Sequence, residues 1–426
     1  MIALTIAGSD SGGGAGIQAD IKTFAALGVH GLSVVTALTA QNTRGVEEVF
    51  EVPADFVRAQ MKALEADFEI RAAKTGMLCS GDLVKVVAKE IGDYPLVVDP
   101  VMAAQAGGRL LEEDALDTLK ERLFPRALLA TPNIPEAEAL PGIRIKGIRD
   151  MRRACQAIAE CGCNVVVKGG HLNAVDVLYL DGTFHELKAR RLPYSAHGSG
   201  CTFAAAIAAQ LAMGRELLQA MKGAKAFVTG AIADAYSPGK GRRVVNPMAA
   251  AERVLVLEEL RGVVAEMEQD KRLCELIPEV GSNIAYALPN ARGPGDVAAV
   301  RGRIVRVGNE VRAVGGVAFG ASKHVATITL TAMAFDPAIR SAMNIRYGKD
   351  VLRACKGLQV SSFSREEEPR SVSTMEWGTR KAIKALGRVP DVIYDLGAVG
   401  KEPMVRVFGR DPREVWGTVV GILERL

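Results

Sequence analysis

Between His197 and Ala209 the chain reads HGSGCTFAAAIAA, a glycine-rich turn that runs straight into an alanine-rich helix. The first backbone N–H groups of such a helix have no intrahelical partner, so they point at whatever lies in front of it. Gly198 and Gly200 carry no Cβ to keep a ligand away from those groups, and the helix dipole adds to the attraction for negative charge. The stretch is an anion hole. Cys201 falls in the first helical turn, where its sulfur lies beside the bound anion and the dipole favours a thiolate. The competing reading is a plain loop followed by a small, inert, buried cysteine.

The beginning of the chain shifts the balance. Residues 2–7 read as a buried strand, Gly8 to Gly16 as a flexible ligand loop, and residues 17–27 as a helix closed by Gly28. Gly14, Gly16 and Ala19 loosely match a G-x-G-x-x-A dinucleotide pattern. The turn is too long for that motif, however, and the next strand, 33–39, runs into Ala40-Gln41 where an acidic ribose ligand belongs. No Walker A sequence occurs, so ATP chemistry needs another phosphate cradle.

A helix over 54–66 and strands at 72–75, 96–98, 127–131 and 165–168 continue the alternation. They predict an α/β fold with a doubly wound, mainly parallel sheet, and Asp181-Gly182 marks an appended hairpin. Ligands of such sheets gather at the carboxyl ends of the strands. Asp99, Thr131, Asn133, Glu136 and Lys168 all fall there. Asp99 and Glu136 offer hard oxygens to Mg²⁺, directly or through water, and Lys168 offers a point charge to phosphates. Each alone is more often an ordinary loop residue; together with the anion hole they point to phosphoryl transfer from ATP, with Thr131, Asn133, Lys168 and Ser199 on the nucleotide.

At 426 residues the chain is too long for one ordinary core. A net charge of +4, with no basic tract longer than Gly241-Arg242-Arg243, argues against a dedicated nucleic-acid surface. Seven cysteines with neither zinc spacing nor a disulfide framework read as reduced thiols. No basic leader and no membrane-length apolar run is present, so a cytoplasmic protein is expected.

The segments AGSDSGGGAGIQADIKTF, VVTALTAQNTRGV, KTGML, VVDPVM, TPNIPEAEAL, VVVKGGH and HGSGCTFAAAIAA resemble the hydroxymethylpyrimidine/phosphomethylpyrimidine kinases of thiamine biosynthesis, a ribokinase-superfamily group. The resemblance covers residues 1–240 and implies two successive phosphorylations of 4-amino-5-hydroxymethyl-2-methylpyrimidine by ATP. It also implies that Asp20, Gln41 and Met77 hold the pyrimidine, with Gly8 close by, and it leaves potassium open as a second cation beside Mg²⁺. Cys201 stands where many relatives carry an aspartate base. Loose phosphoryl-transfer transition states need little base catalysis, so positioning by the anion hole outweighs proton removal. Pyridoxal phosphorylation is the nearest competing activity; Gln41, which both donates and accepts, favours an aminopyrimidine edge. Analogy of fold suggests a homo-oligomer, a dimer.

SPGKGRRVVNP opens a linker over 241–254, and 255–426 reads as a second, smaller α/β domain. A helix is predicted over 249–276, with a break near Gly262 left open, a hairpin at Gly308-Asn309 and a strand over 310–314. The segment after Ser322 has a helix's length and cap but the alternating threonines of a strand; helix is preferred, which puts His324 in its first turn. Strands near 344–347, 359–363 and 392–395, helices from Lys349 and over 374–386, and a loop SREEEPRS follow. Asp411-Pro412-Arg413-Glu414 starts a final helix with an N-cap, proline at N1 and glutamate at N3.

In this half Arg303, His324, Arg346 and Arg365 could converge on a diphosphate, although single arginines are more often surface charges. The stretches IPEVGSNIAYA, GRI, ASKHV, NIRY and PDVIYDLGAVGKEPM resemble the archaeal-type thiamine-phosphate synthase domain. That resemblance implies joining the pyrimidine diphosphate to 4-methyl-5-(2-phosphooxyethyl)thiazole with release of pyrophosphate. Arg303 in GRI and His324 in SKH carry the enzymic pattern, and a bidentate arginine with a hydrogen-bonding histidine suits a dissociating diphosphate. Asn283, Asp395, Lys401 and Glu402 are the further candidate ligand contacts, while Ser364 departs from the family's acidic residue. The alternative reading is the same kinase fused to a non-catalytic thiamine-phosphate-sensing domain.

Overall fold

Short buried apolar strands alternating with helices that carry one apolar face build two units, Met1–Ala250 and Ala251–Leu426. The structure is a computed structural model, and it describes residues 1–102, 113–170, 174–368 and 374–426. His171 of the quoted VVVKGGH and the end of SREEEPRS lie outside the described residues.

The strands of the first unit are β1 (Ile2–Asp10), β2 (His30–Gln41), β3 (Val46–Glu51), β4 (Ala72–Thr75), β5 (Leu96–Val98), β6 (Leu129–Ala130), β7 (Asn164–Val167), β8 (Val175–Leu180) and β9 (Thr183–Lys188). They form one sheet in the order β3-β2-β1-β4-β5-β6-β7-β8-β9. The six from β2 to β7 in that order run parallel, while β3, β8 and β9 are antiparallel additions at its two edges. Chain order reverses between β1 and β4, which is where a doubly wound sheet opens a crevice at its carboxyl edge.

The helices are α1 (Gly16–Ala26), α2 (Ala54–Glu65), α3 (Gly81–Glu90), α4 (Glu113–Thr118), α5 (Ile134–Ala139), α6 (Ile148–Ala159), α7 (Ser199–Ala212) and α8 (Leu217–Ala233). On one face of the sheet α2, α3 and α6 pack Met61, Leu83 and Met151 onto Leu4, Ile6 and Val98. On the other, the alanines of α7 lie fully buried against Ala3, Val97 and Leu129, with α1 and α8 beside them. Because those side chains are methyl groups, the helix sits close to the sheet and its N-terminus reaches the carboxyl edge. Residues after Tyr236 fold back onto this unit: Val244 bridges both His197 and Tyr236, and Val245 and Asn246 are buried.

α9 (Ala249–Gln269) begins at the last two residues of the first unit, and from Ala251 on it belongs to the second unit. Its sheet holds β10 (Ile284–Ala287), β11 (Val297–Val300), β14 (Val317–Phe319), β15 (Ser341–Arg346), β16 (Val360–Ser362), β17 (Val392–Asp395) and β18 (Met404–Gly409), while β12 (Ile304–Val307) and β13 (Glu310–Ala313) form a separate hairpin. The order is β14-β11-β10-β15-β18-β17-β16, antiparallel except for β16 with β17. Helices α10 (Lys323–Met333) and α12 (Thr374–Leu386) cover one face; α9, α11 (Lys349–Ala354) and α13 (Pro412–Leu423) cover the other.

The threonine-rich segment is helical. Thr327, Thr329 and Thr331 each donate a hydroxyl to the carbonyl four residues back, at 2.7–2.9 Å, which satisfies them without a strand. The helix expected to reach Leu276 stops at Gln269 instead. Asp270 accepts from the Arg272 amide at 3.0 Å and starts a 3₁₀ turn over Lys271–Leu276. Asp411 caps α13 through the Glu414 amide at 2.8 Å. No helix among the described residues is long and apolar enough to cross a membrane.

Candidate active site

β1 ends at Asp10, and that carboxylate organises the glycine-rich loop. It accepts from the backbone amides of Gly12 at 2.8 Å, Gly14 at 3.0 Å and Ala15 at 2.8 Å. Nε2 of His197 lies 3.1 Å from the same carboxylate, and Gln41 approaches that ring nitrogen to 3.0 Å. Burial by itself would raise the Asp10 pKa, but His197 and the loop amides outweigh it and hold the group below its ordinary value. The loop and α7 meet through glycines. Gly198 has φ +85°, and a Cβ there would come within 1.9 Å of the Gly14 carbonyl oxygen. A Cβ on Gly14 would in turn strike His197 at 2.7 Å.

These contacts bring the N-terminus of α7 to a cavity of about 130 Å³ lined from the ends of the six parallel strands. That volume is of the order that holds one six-membered ring. Gly8, Gln41 and Met77 line it together with Asp99, Asn133, Glu136, Lys168, Gly198, Gly200 and Cys201. Lys168 Nζ pairs with Asp99 at 2.6 Å, and Thr131 donates to the same oxygen at 3.0 Å. Asn133 and Glu136 form a reciprocal capping box at the start of α5, at 2.8 and 2.9 Å. A Cβ on Gly200 would lie 3.4 Å from Lys168 Nζ, so the helix end rests against the ion pair.

Burial pushes the Glu136 carboxyl up to about 7, opposed by Lys168 and reinforced by Asp99. Burial works against the charge of Lys168 too, but Asp99 and Glu136 more than compensate and raise its pKa. Cys201 reverses the thiolate expectation. Burial pushes its thiol up to about 11, and the opposing charge of Lys74 does not recover the difference.

Three of the residues chosen from the sequence stand elsewhere. Asp20 is fully buried behind the cavity wall, where it accepts from Lys74 Nζ and Thr5 Oγ1, both at 2.7 Å. It is Lys74 that borders the cavity. Burial opposes the ammonium, yet Asp20, Cys201 and Asp99 raise its pKa and keep it protonated. Thr131 is buried and serves Asp99 rather than the cavity. Ser199 opens on a neighbouring cavity of about 390 Å³, lined also by Arg190, Tyr194 and Lys225. Asp10, Lys74 and His197 were not legible as site residues, although all three sit inside the quoted motifs.

In the second unit several candidates converge at one edge of the sheet. Arg303 donates to the Val280 carbonyl, and Gly281, with φ +80°, leaves room for its side chain. Glu402 accepts from the amides of Glu279 at 3.0 Å and Val280 at 3.2 Å, so its carboxylate holds that turn. Asp395 is fully buried between two arginines, accepting from Arg365 Nε at 2.6 Å and Arg406 Nη2 at 2.7 Å. Its oxygens are therefore spent inside the protein. Asn283 bridges β10 to β11 through both backbone groups of Val300, at 2.9 and 3.1 Å, and also faces inward. Lys401 reaches Glu368 at 3.5 Å, and Arg346 turns to Asp350 at 2.6 Å. His324 is exposed in the first turn of α10, and the hydrogen bonds that knit this cluster among the described residues do not include it.

The family model for phosphomethylpyrimidine kinase matches residues 10–246, and that for thiamine-phosphate synthase ThiN matches 259–420. The bifunctional thiamine biosynthesis protein ThiDN of Methanocaldococcus jannaschii is 38% identical over 97% of this chain and 96% of its own length. A hydroxymethylpyrimidine/phosphomethylpyrimidine kinase of Streptomyces coelicolor is 48% identical over 56% of this chain and 91% of its own. Among solved structures, the ADP complex of Bacillus subtilis pyridoxal kinase is 37% identical with a TM-score of 0.55, covering 59% of this chain and 98% of that one. Staphylococcus aureus pyridoxal kinase bound to AMP-PCP and pyridoxal is 35% identical with a TM-score of 0.54, covering 59% and 94%.

The first unit is thus a ribokinase-like kinase fold. The chain belongs to the phosphomethylpyrimidine kinase family, in its bifunctional thiamine-biosynthesis form with a thiamine-phosphate synthase domain behind the kinase.

Proposed function

We propose that the first unit phosphorylates 4-amino-5-hydroxymethyl-2-methylpyrimidine twice with ATP, and that the second joins the resulting diphosphate to 4-methyl-5-(2-phosphooxyethyl)thiazole, releasing pyrophosphate and thiamine phosphate. One observation carries the kinase reading: Gln41, Met77, the Lys168–Asp99 pair and the N-terminus of α7 border a single cavity. Gln41 and Met77 take the ring and aim its hydroxymethyl group at α7. The amides that follow Gly198 and the Lys168 ammonium stabilise charge on the phosphoryl group in transfer, which is where most of the rate enhancement of such reactions originates. Cys201, as a thiol, contributes position and a weak hydrogen bond rather than a base.

Among the described residues no three His, Cys, Asp or Glu side chains are grouped as a metal cage. Two carboxylates, Asp99 and Glu136, border the cavity beside Lys168. This donor set fits Mg²⁺ brought in by ATP, since the ion keeps waters and takes other ligands from phosphates. When bound it would neutralise phosphate charge, with Asp99 and Glu136 holding it directly or through water. In the second unit Arg303 and His324 would act at the leaving diphosphate, with Lys401 as a further cation. The seven cysteines form no disulfide among the described residues, as in a reducing, cytoplasmic setting, and kinship of fold supports a homodimer.

Purified chain supplied with the hydroxymethylpyrimidine, ATP-Mg²⁺ and the thiazole phosphate tests the whole reading by separating each product. Thiamine phosphate is expected. Pyrimidine diphosphate accumulating without it would leave the kinase and turn the second unit into a sensor; no phosphorylated pyrimidine would remove the kinase reading.

A further inference from the structure

The amide of Gln41 sits in a network whose proton inventory can be closed. Nε2 of His197 lies 3.1 Å from Asp10 Oδ2 and 3.0 Å from Gln41 Nε2. The other end of the Gln41 amide is 3.2 Å from Thr39 Oγ1, and that hydroxyl is 2.9 Å from the Ser9 carbonyl oxygen. Asp10 takes three backbone amides and is an ionised acceptor, so Nε2 of His197 carries the proton and shares it between Asp10 Oδ2 and the Gln41 amide. Gln41 must then face His197 with its oxygen, because two N–H groups cannot point at each other. The other end is consistent with that orientation. Thr39 has a single hydroxyl proton for two contacts; placed on the shorter one, to the Ser9 carbonyl at 2.9 Å, it leaves Thr39 as an acceptor at 3.2 Å from Gln41, so the Gln41 NH₂ faces it.

We propose that Asp10, His197 and Thr39 are positioning residues that lock the Gln41 amide with Oε1 towards His197 and Nε2 towards Thr39, and so select the ring that the kinase accepts. This rests on the reading of the first unit as a pyrimidine kinase. Gln41 borders the cavity with one N–H and one lone pair left over. That pair matches a ring edge with an acceptor nitrogen next to an amino donor, the same complementarity by which glutamine reads adenine. The ring cannot turn over to suit a reversed amide, because its hydroxymethyl group must point at α7. Gly14 belongs to the device: the His197 ring occupies the space of its missing Cβ.

Two measurements on the full chain test this. Long-range ¹H–¹⁵N NMR should show His197 protonated at Nε2; a neutral ring protonated at Nδ1 would overturn the network. In kinetics, His197→Phe and Thr39→Val should each raise KM for the hydroxymethylpyrimidine by about tenfold, the scale of one lost hydrogen bond, with kcat held within about threefold. With pyridoxal as the probe substrate, KM should stay level or fall, so that selectivity shifts by about tenfold towards it. Equal losses for both substrates, or a fall in kcat at constant KM, would overturn the proposal. If the unaltered chain phosphorylates no pyrimidine, the functional reading fails, while the His197 tautomer still judges the network.

Discussion

The two units use their charged residues in opposite ways. In the first, side chains from the ends of different parallel strands turn towards one cavity and several keep capacity for a ligand: Lys168, Glu136 and Gln41 all border it. In the second, the groups that look most like ligand contacts are consumed by the protein, with Asp395 between Arg365 and Arg406, Glu402 holding a turn, and Asn283 tying two strands. Sheet direction accounts for the contrast. Parallel strands place all their carboxyl ends on one edge, so a site assembles there with little help. Antiparallel strands alternate their ends, and a site must be built from turns that first need internal support.

That contrast can be broken most severely at Asp395. Replacing it by alanine leaves two buried guanidinium groups on one lost partner and should destabilise the second unit by about 3–5 kcal/mol. Both tryptophans, Trp377 and Trp416, lie in that unit, so their fluorescence during urea unfolding reports it selectively. An unchanged midpoint would show that Asp395 is free for a ligand after all. Next in size, Lys168→Ala should lower kinase kcat/KM by about 10²–10³-fold while coupling of supplied pyrimidine diphosphate proceeds at the normal rate. Arg303→Ala should do the converse, costing about 100-fold in thiamine phosphate formation with both phosphorylations intact.

A smaller effect concerns pH. The Glu136 pKa is about 7 in the folded chain against 4.5 for the free group. The folded state therefore holds a proton that the unfolded state has lost between those values, and stability falls as pH rises through that window. The loss is on the order of 3 kcal/mol and should vanish from the pH dependence of the first unit in Glu136→Gln, which keeps the capping box. Circular dichroism during urea unfolding, compared with tryptophan fluorescence, would detect it; an identical slope in the variant would remove Glu136 from this role. Smallest of all, Cys201→Ser should reduce kcat by no more than about tenfold, because a thiol raised to about 11 is a poor base. A loss of about 10³-fold in steady-state turnover would restore proton abstraction to Cys201.

Much of the first unit was legible because its signals are local. Strand lengths of three or four apolar residues, Gly28 after α1 and Asp181-Gly182 in the β8–β9 hairpin are each short-range features. The strand-end residues follow from one topological rule, so Asp99, Asn133, Glu136 and Lys168 are legible in the sequence alone. Strands β10, β11 and β18 of the second unit lay outside the predicted elements: they are alanine-rich, valine-rich or interrupted by Arg406, and carry no alternation that separates them from short helical segments.

What the sequence determined by itself was the order of elements, the anion hole and the family resemblance, since all depend on residues close together in the chain. Which side chain faces a ligand was decided only by tertiary structure. Asp20 and Lys74 are 54 residues apart, and their ion pair takes the carboxylate out of the site and leaves the lysine at its edge. His197 and Asp10 are 187 apart, and their contact decides how Gln41 can be used. Burial is likewise a property of the packed molecule: the desolvation that keeps Cys201 a thiol and lifts Glu136 towards neutrality exists only once α7 has closed over the strand ends.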